Sequence, residues 1–173
     1  RFWESGHTNG PVTSLGLMES VARAVERLGE LADSAAVSRL AAAFSAAGHE
    51  LALVGGSVRD AFLNRDLTDL DFTTSARPDD ILALVTPISD VQWDVGRDFG
   101  TIAARINGLT VEITTYRADA YDGETRKPIV QFGDTLEDDL VRRDFTVNAM
   151  ALRLPERQLV DPWGGLDDLL ARR

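Results

Sequence analysis

Apolar residues recur at helical spacing over the first quarter of the chain. The spacing predicts an amphipathic helix over residues 14–32, whose apolar positions are Leu17, Val21, Val25, Leu28 and Leu31. A second helix is predicted to begin with Ser34 as its N-cap and to end at Gly48. Both apolar stripes are typical of helices that pack against a hydrophobic core.

From residue 50 onward the pattern changes to short strands that alternate with short helices. "ELALV" and "LTDLDFTT" indicate strands, the first buried and the second half-buried. "GSVRDAFLN" and "PDDILALV" indicate helices, the latter with Pro78 near its start. The clearest local signal is "TIAARI-NG-LTVEITTY", because Asn-Gly between two β-rich runs favours a hairpin with a type I′ turn.

The last third of the chain returns to a helical pattern and then to strands. Residues 135–149 are predicted to be helical, with Thr135 and Asp138 at the spacing of a capping box. "ALRL" and "QLV" predict a strand pair, and "DPWGG" a turn before a last helix near Leu166. Together these elements predict an α+β fold with one mixed, largely antiparallel sheet and helices packed on it.

Composition and charge narrow the class of protein. The 173 residues carry a net charge of -10, and their 44% hydrophobic and 27% charged residues are ordinary for a globular domain. The acidic balance argues against a protein that coats nucleic acid by itself, but it allows a catalytic module whose carboxylates hold metal ions. The absence of cysteine excludes disulfides and thiolate zinc sites and fits a cytoplasmic protein.

Membrane and leader segments are not expected. No apolar run approaches the ~18 residues of a membrane span, and "RFWESGHTNGPVT" lacks the hydrophobic stretch of a signal peptide. The chain begins with Arg1 instead of Met, which fits the end of a fragment. Since the only histidines are His7 and His49, a histidine-based catalytic triad is not expected.

The stretch "LVGGSVRD" carries the first candidate for chemistry. A strand that ends in Gly55-Gly56 and enters a helix lets backbone N–H groups point at an anion, and Arg59 lies one turn further on. The alternative is a tight strand-helix turn in which glycine only avoids a clash. A P-loop is excluded, because Gly-Lys-Ser/Thr does not follow.

Two aspartates follow in "DLDF", at the spacing that puts both side chains on one face of a strand. Asp69 and Asp71 would repel each other unless a cation neutralised them, and carboxylate oxygens suit Mg²⁺. The alternative is a solvated surface pair. Glu112 lies on the second strand of the predicted hairpin and alternates with apolar neighbours, so it is predicted on the open face with Thr114 and Tyr116.

A strand carrying Glu112 beside the strand of Asp69 and Asp71 would bring three carboxylates to one point. Such a cluster can hold two metal ions about 3.5–4 Å apart for displacement at phosphorus. The alternative for Glu112 is a lone surface residue.

The last candidate is "LVRRDFTVNAMAL", in which polar groups interrupt an apolar helical stretch. Arg143 can clamp a phosphate, and Asp144 and Asn148 have the hydrogen-bonding capacity to contact a ribose hydroxyl. The alternative is a structural ion pair between Arg143 and Asp144.

In combination, these motifs resemble the N-terminal catalytic head of the class II tRNA nucleotidyltransferases, the CCA-adding family, within the DNA polymerase β-like nucleotidyltransferase superfamily. "LVGGSVRD" with "DLDF" resembles the family's first motif, and "RRDFTVNAMAL" its ribose-contacting motif. "FGT", "VEITTYR" and "DPWGGLDDL" also match. The resemblance covers about residues 50–173 and implies three segments: an N-terminal helical segment at 1–49, the head at 50–155 and the start of a neck at 156–173.

The resemblance also implies roles for individual residues. Asp69, Asp71 and Glu112 would be the catalytic carboxylates and ligands of two Mg²⁺ ions. The nucleotide-binding residues it implies are Gly55, Gly56, Ser57, Arg59, Arg143, Asp144 and Asn148. The implied reaction is attack of the 3′-hydroxyl of a tRNA on CTP or ATP, with release of pyrophosphate.

By the same resemblance, the base-selecting motif Glu-Asp-x-x-Arg and the tRNA-gripping domains belong beyond residue 173. The fragment by itself can therefore be inactive, and the sequence leaves open addition of CCA, CC or A. A bacterial poly(A) polymerase shares this head and is the close alternative. The alternative of another class is a catalytically inactive nucleotide-binding module.

Overall fold

The computed structural model describes residues 14–67, 69–118, 120–121, 128–129 and 131–171, so the first 13 residues, with His7, lie outside the described part. The helices are α1 (Ser14–Asp33), α2 (Ala35–Ala46), α3 (Gly56–Phe62), α4 (Pro78–Val85), α5 (Leu136–Val141) and α6 (Gly165–Leu170). The strands are β1 (Leu51–Val54), β2 (Asp69–Thr74), β3 (Val91–Gly96), β4 (Thr101–Ile106), β5 (Leu109–Thr115), β6 (Ala120–Tyr121), β7 (Pro128–Ile129), β8 (Ala151–Leu154) and β9 (Gln158–Val160). Short 3₁₀ turns lie at Thr86–Ile88, Arg97–Phe99 and Thr146–Asn148.

Seven of these strands form one mixed sheet in the order β3-β4-β5-β2-β1-β8-β9. β2 and β5 run parallel, and the other neighbouring strands of this sheet run antiparallel. The α+β fold with a largely antiparallel sheet is therefore confirmed. β6 and β7 pair separately. Among the described residues, no helix has both the length and the apolar character needed to span a bilayer.

One face of the sheet is covered by α1, α2 and α4. Leu40 and Phe44 of α2 are fully buried, and they belong to the same core cluster as Leu53 of β1 and Phe72 of β2. Ser34 caps α2 by accepting a hydrogen bond from the backbone N–H of Val37, as its sequence position predicts. The main hydrophobic core therefore lies between these helices and this face of the sheet.

The other face is divided into two halves. α5 covers the half formed by β1 and β8, where Leu136 and Leu140 pack against Ala52 and Ala151. Along β5, β4 and β3 the large side chains of this face are exposed. The β2–β5 boundary therefore lies where a covered half of the sheet meets an open half.

Two local predictions need correction. The predicted helix over 135–149 is helical only at Leu136–Val141, with a 3₁₀ turn at Thr146–Asn148. Its buried stripe stops at Leu140, because Arg143 and Asp144 occupy the positions one turn further on. Tyr116 was predicted on the open face with Glu112 but is fully buried, since it lies beyond the end of β5 and packs in the cluster under α5.

Candidate active site

Three acidic side chains lie on one face of the sheet, on two neighbouring strands. Asp69 and Asp71 are exposed on β2, while Leu70 between them is buried. The parallel register places Asp71 directly opposite Glu112 of β5, which is also exposed between two buried neighbours. The structure therefore places the three carboxylates on one face of two neighbouring strands, while their convergence around metal ions stays a prediction.

The electrostatics of this cluster favour a cation. Partial burial raises the pKa of the Asp71 carboxyl, and the negative charge of Glu112 raises it further. Arg143 lowers this pKa, and the charge of Asp69 raises it. Within the described ranges, no three His, Asp or Glu side chains already form a metal-binding group. The carboxylates fit a divalent ion because they offer oxygen ligands and lie on one face of the sheet. Their side chains do not converge on one point.

The Gly55-Gly56 turn lets two arginines approach the backbone. Gly55 has φ +63°, and a Cβ there would lie 3.2 Å from Nη1 of Arg143. A Cβ on Gly56 would lie 3.3 Å from Nη2 of Arg59. Glycine at both positions therefore leaves the space in which the guanidinium groups lie.

Ser57 and Asn148 fix the geometry of this turn. The hydroxyl of Ser57 accepts a hydrogen bond from the backbone N–H of Asp71 at 3.1 Å, which ties α3 to β2. Arg59 donates from Nη1 to Oδ1 of Asn148 at 2.8 Å. Residues predicted from two distant sequence motifs are thus in direct contact.

Arg143 is held by a carboxylate that the sequence prediction missed. Its Nη2 donates to Oδ2 of Asp139 at 3.0 Å, so the ion pair considered between Arg143 and Asp144 is replaced by an i,i+4 pair. The fully buried Asp139 also accepts a hydrogen bond from the backbone N–H of Arg117 at 3.0 Å. The i,i+4 spacing of Asp139 and Arg143 in a predicted helix was the sequence signal from which this ion pair could have been predicted. Asp144 is exposed, and its role beside a ribose stays a prediction.

Comparison with known proteins places this geometry in a family. Residues 51–173 match the model of the poly A polymerase head domain. The chain is 40% identical over 126 residues to the CCA-adding enzyme of Geobacillus sp. (strain WCH70), covering 72% of this chain and 30% of that protein. It is 45% identical over 125 residues to the CCA-adding enzyme of Streptococcus gordonii, covering 72% and 30%.

Solved structures give the same result. The Bacillus stearothermophilus CCA-adding enzyme in complex with CTP matches with a TM-score of 0.64 and 31% identity, covering 88% of this chain and 32% of that one. A tRNA nucleotidyltransferase complexed with a primer tRNA and an incoming ATP analog matches with a TM-score of 0.61 and 32% identity, covering 76% and 36%. The chain spans about a third of the length of these relatives. Since the family model matches most of its residues, the chain belongs to the poly A polymerase head domain family, which it shares with the CCA-adding enzymes.

Proposed function

We propose that the chain is the catalytic head of a template-independent RNA nucleotidyltransferase that adds CMP and AMP, from CTP and ATP, to the 3′ end of tRNA. The observation that carries the proposal is the register of β2 and β5, which sets Asp71 opposite Glu112 beside the Gly55-Gly56 turn. The names of the similar proteins support tRNA as acceptor and CTP and ATP as donors. The proposal includes a cytoplasmic location, which the absence of cysteine fits.

Nucleotidyltransferases of this family generally use divalent metal ions. We infer that the ions are two Mg²⁺, held by Asp69, Asp71 and Glu112, because magnesium prefers a few carboxylates together with substrate phosphates. When bound, such ions lower the pKa of an attacking hydroxyl and neutralise charge that develops on the phosphates.

The arginines beside the glycine turn would bind the triphosphate. Arg143 and Arg59 approach Gly55 and Gly56, so both guanidinium groups can donate to phosphate oxygens beside this turn. The RNA 3′-oxygen would then form a bond to the α-phosphorus as the bond to the pyrophosphate breaks, and the proton of the 3′-hydroxyl would be released to water. Asn148, oriented by Arg59, and Asp144 are proposed to contact the ribose.

A bacterial poly(A) polymerase is the second candidate, because the matching family model carries that description. Primer extension on a labelled tRNA with CTP alone, ATP alone and both together separates the two. CMP followed by AMP indicates CCA addition, a run of AMP indicates poly(A) synthesis, and no incorporation by the complete enzyme indicates an inactive module.

The carboxylate site is tested with Asp71→Ala in the complete enzyme. We expect incorporation to fall by roughly 10²–10³-fold or more, as for loss of a group that stabilises transition-state charge. Asp80→Ala is the control, because Asp80 is exposed on α4, which packs on the opposite face of the sheet. Unchanged incorporation by Asp71→Ala would remove the proposed mechanism.

A further inference from the structure

One row of the sheet links the candidate carboxylates to an exposed tryptophan at the sheet edge. Asp71 of β2 pairs with Glu112 of β5. Glu112 pairs in turn with Ala103 of β4, and Ala103 pairs with Trp93 of β3. Because directly paired residues share a face, Trp93 lies on the face of the carboxylates. Two strand spacings place its backbone about 10 Å from that of Glu112.

The next row adds a cation and a second apolar side chain. Arg105 of β4 pairs with Thr110 of β5 on one side and with Val91 of β3 on the other. Arg105 is exposed, Trp93 is 41% exposed and Val91 is 47% exposed. An aromatic ring, a guanidinium and an apolar side chain therefore lie together on the open half of the sheet face. We name Val91, Trp93 and Arg105 the edge strip.

The two substrates of the proposed reaction would reach the carboxylates from different sides. Gly55 follows β1, and Arg143 follows α5, so the pocket proposed for the triphosphate lies on the β1 side of Asp71. α5 covers the sheet face over β1 and β8. Among the described residues, the large side chains of the face over β5, β4 and β3 are exposed, and this part of the face is proposed to receive the molecule that brings the attacking hydroxyl.

The chemistry of the edge strip suits single-stranded RNA. Bases that are not paired stack on aromatic side chains, and phosphates bind arginine. A net charge of -10 disfavours general adhesion to nucleic acid, so a local arginine beside an aromatic ring is the kind of feature that would direct RNA to this place.

We propose that the edge strip binds the nucleotides that precede the 3′ end of the RNA acceptor, with Trp93 stacked on a base and Arg105 on a phosphate. The proposal rests on the proposed function, which places the 3′-hydroxyl at Asp71 and Glu112. The strip continues the same sheet face from Glu112, so the RNA leaves the reaction centre across β4 toward the edge strand β3.

The test measures RNA affinity and nucleotide use separately in the complete enzyme. With a tRNA minihelix as probe, Trp93→Ala is expected to raise Kd roughly tenfold, the scale of one lost base–aromatic stack. Trp93→Phe is expected to keep most of the RNA affinity, because phenylalanine can also stack on a base. In both variants the KM for CTP is expected to change less than twofold, which is much smaller than the roughly tenfold change expected in the Kd for RNA. Met18→Ala is the control, because Met18 is a large apolar side chain on α1 with 69% exposure.

Arg105 is tested by salt dependence. Arg105→Gln is expected to reduce the slope of log affinity against log salt by about 0.7, the value for one phosphate of a single strand. Arg39→Gln, an exposed arginine on α2, is expected to leave the slope unchanged.

Unchanged RNA affinity in Trp93→Ala would overturn the inference. It would also be overturned if the wild-type enzyme were a dimer and Trp93→Ala dissociated that dimer without loss of RNA binding, because Trp93 would then contact a second copy of the enzyme and not RNA. Either result leaves the proposed function standing as long as Asp71→Ala shows its expected loss of incorporation.

Discussion

Asp139 is the buried acid through which α5 holds Arg143 at the proposed nucleotide site. Its two carboxylate oxygens accept hydrogen bonds from the guanidinium of Arg143 and from the backbone N–H of Arg117. The distance from Nε of Arg142 to Oδ1 of Asp139 is 3.6 Å. A carboxylate removed from water is stable only with such partners. In return, Asp139 fixes the guanidinium of Arg143 beside Gly55. Asp139 would therefore position Arg143, the residue proposed to bind the nucleotide, without touching the nucleotide itself.

Asp139→Asn is therefore expected to affect both stability and nucleotide binding. The amide keeps the shape but leaves Arg143 without its anionic partner, at a cost of about 2 kcal/mol of unfolding free energy, less than for a fully buried pair because Arg143 is partly exposed. The KM for CTP is expected to rise about tenfold, the equivalent of about 1.4 kcal/mol. Urea unfolding and initial rates of the complete enzyme measure the two effects.

Asp138→Asn is the matched control. Asp138 is exposed, and its contribution to the cap of α5 is its backbone N–H, which donates to the hydroxyl of Thr135. Both measurements are expected to stay near wild type in this variant. Equal behaviour of the two variants would contradict the positioning role of Asp139.

These two neighbours show what residue patterns can predict. The alternation of polar and apolar residues was enough to predict that Asp69 and Asp71 share one face of their strand and that Glu112 lies on the open face of its own strand. Asp138 and Asp139 look alike in the acidic first turn of α5, and only the packing of that helix against the sheet buries Asp139.

At the scale of elements, α6 supports the turn that carries Asn148. Gly165 at the start of α6 packs so closely that a Cβ would lie 2.1 Å from the carbonyl oxygen of Thr146. Both oxygens of Asp161 accept hydrogen bonds from the first backbone N–H groups of α6, at 2.7 and 3.0 Å. Asp168 of α6 also accepts a hydrogen bond from the hydroxyl of Thr146.

Gly165→Ala is expected to push α6 away from the 3₁₀ turn at Thr146–Asn148. We expect a loss of about 2–3 kcal/mol of unfolding free energy, as for an overpacked core position, together with a higher KM for CTP. Gly164→Ala is the control: its φ of +68° strains alanine, but no atom lies within 4 Å of the added Cβ. It is expected to lose about 1 kcal/mol with an unchanged KM. An equal rise of KM in both variants would contradict the coupling.

An element could be predicted from the sequence where its own residues favour its backbone conformation. The hairpin turn at Asn107-Gly108 was confirmed because both residues take positive φ, +50° and +81°, which Asn and Gly tolerate. Val91–Gly96 had no strand prediction. β3 is an edge strand with a register shift between Asp94 and Gly96, so its pairing with β4, and not its own pattern, makes it a strand.

For the whole molecule, strand order is the property that local patterns do not contain. β2 and β5 are separated in sequence by α4, β3 and β4, yet they are parallel neighbours in the sheet. This pairing brings Glu112 to Asp71. The sequence pattern predicted that the three carboxylates would lie together only if the strand of Glu112 neighboured the strand of Asp69 and Asp71. The resemblance to a known family gave the reason to expect that the two strands are neighbours.

The core likewise extends beyond the residues that match the family. The family match begins at residue 51, but Leu28 of α1 and Phe44 of α2 share a buried cluster with Leu53 and Phe72 of the sheet. The division into segments 1–49, 50–155 and 156–173 stays a prediction. A shared core implies that α1 and α2 unfold together with the sheet.

Phe44→Ala tests that implication. Phe44 has no exposed surface, so its truncation is expected to cost about 4 kcal/mol through lost burial and a residual cavity. Leu15→Ala, at a position with 67% exposure on α1, is expected to change the unfolding free energy by less than about 0.5 kcal/mol. Urea unfolding followed by helical circular dichroism and by tryptophan fluorescence should give coincident transitions, because one cooperative core lets neither layer unfold alone. A helical signal that is lost first in Phe44→Ala, with the fluorescence transition unchanged, would show that residues 14–46 are a separate unit attached to the head.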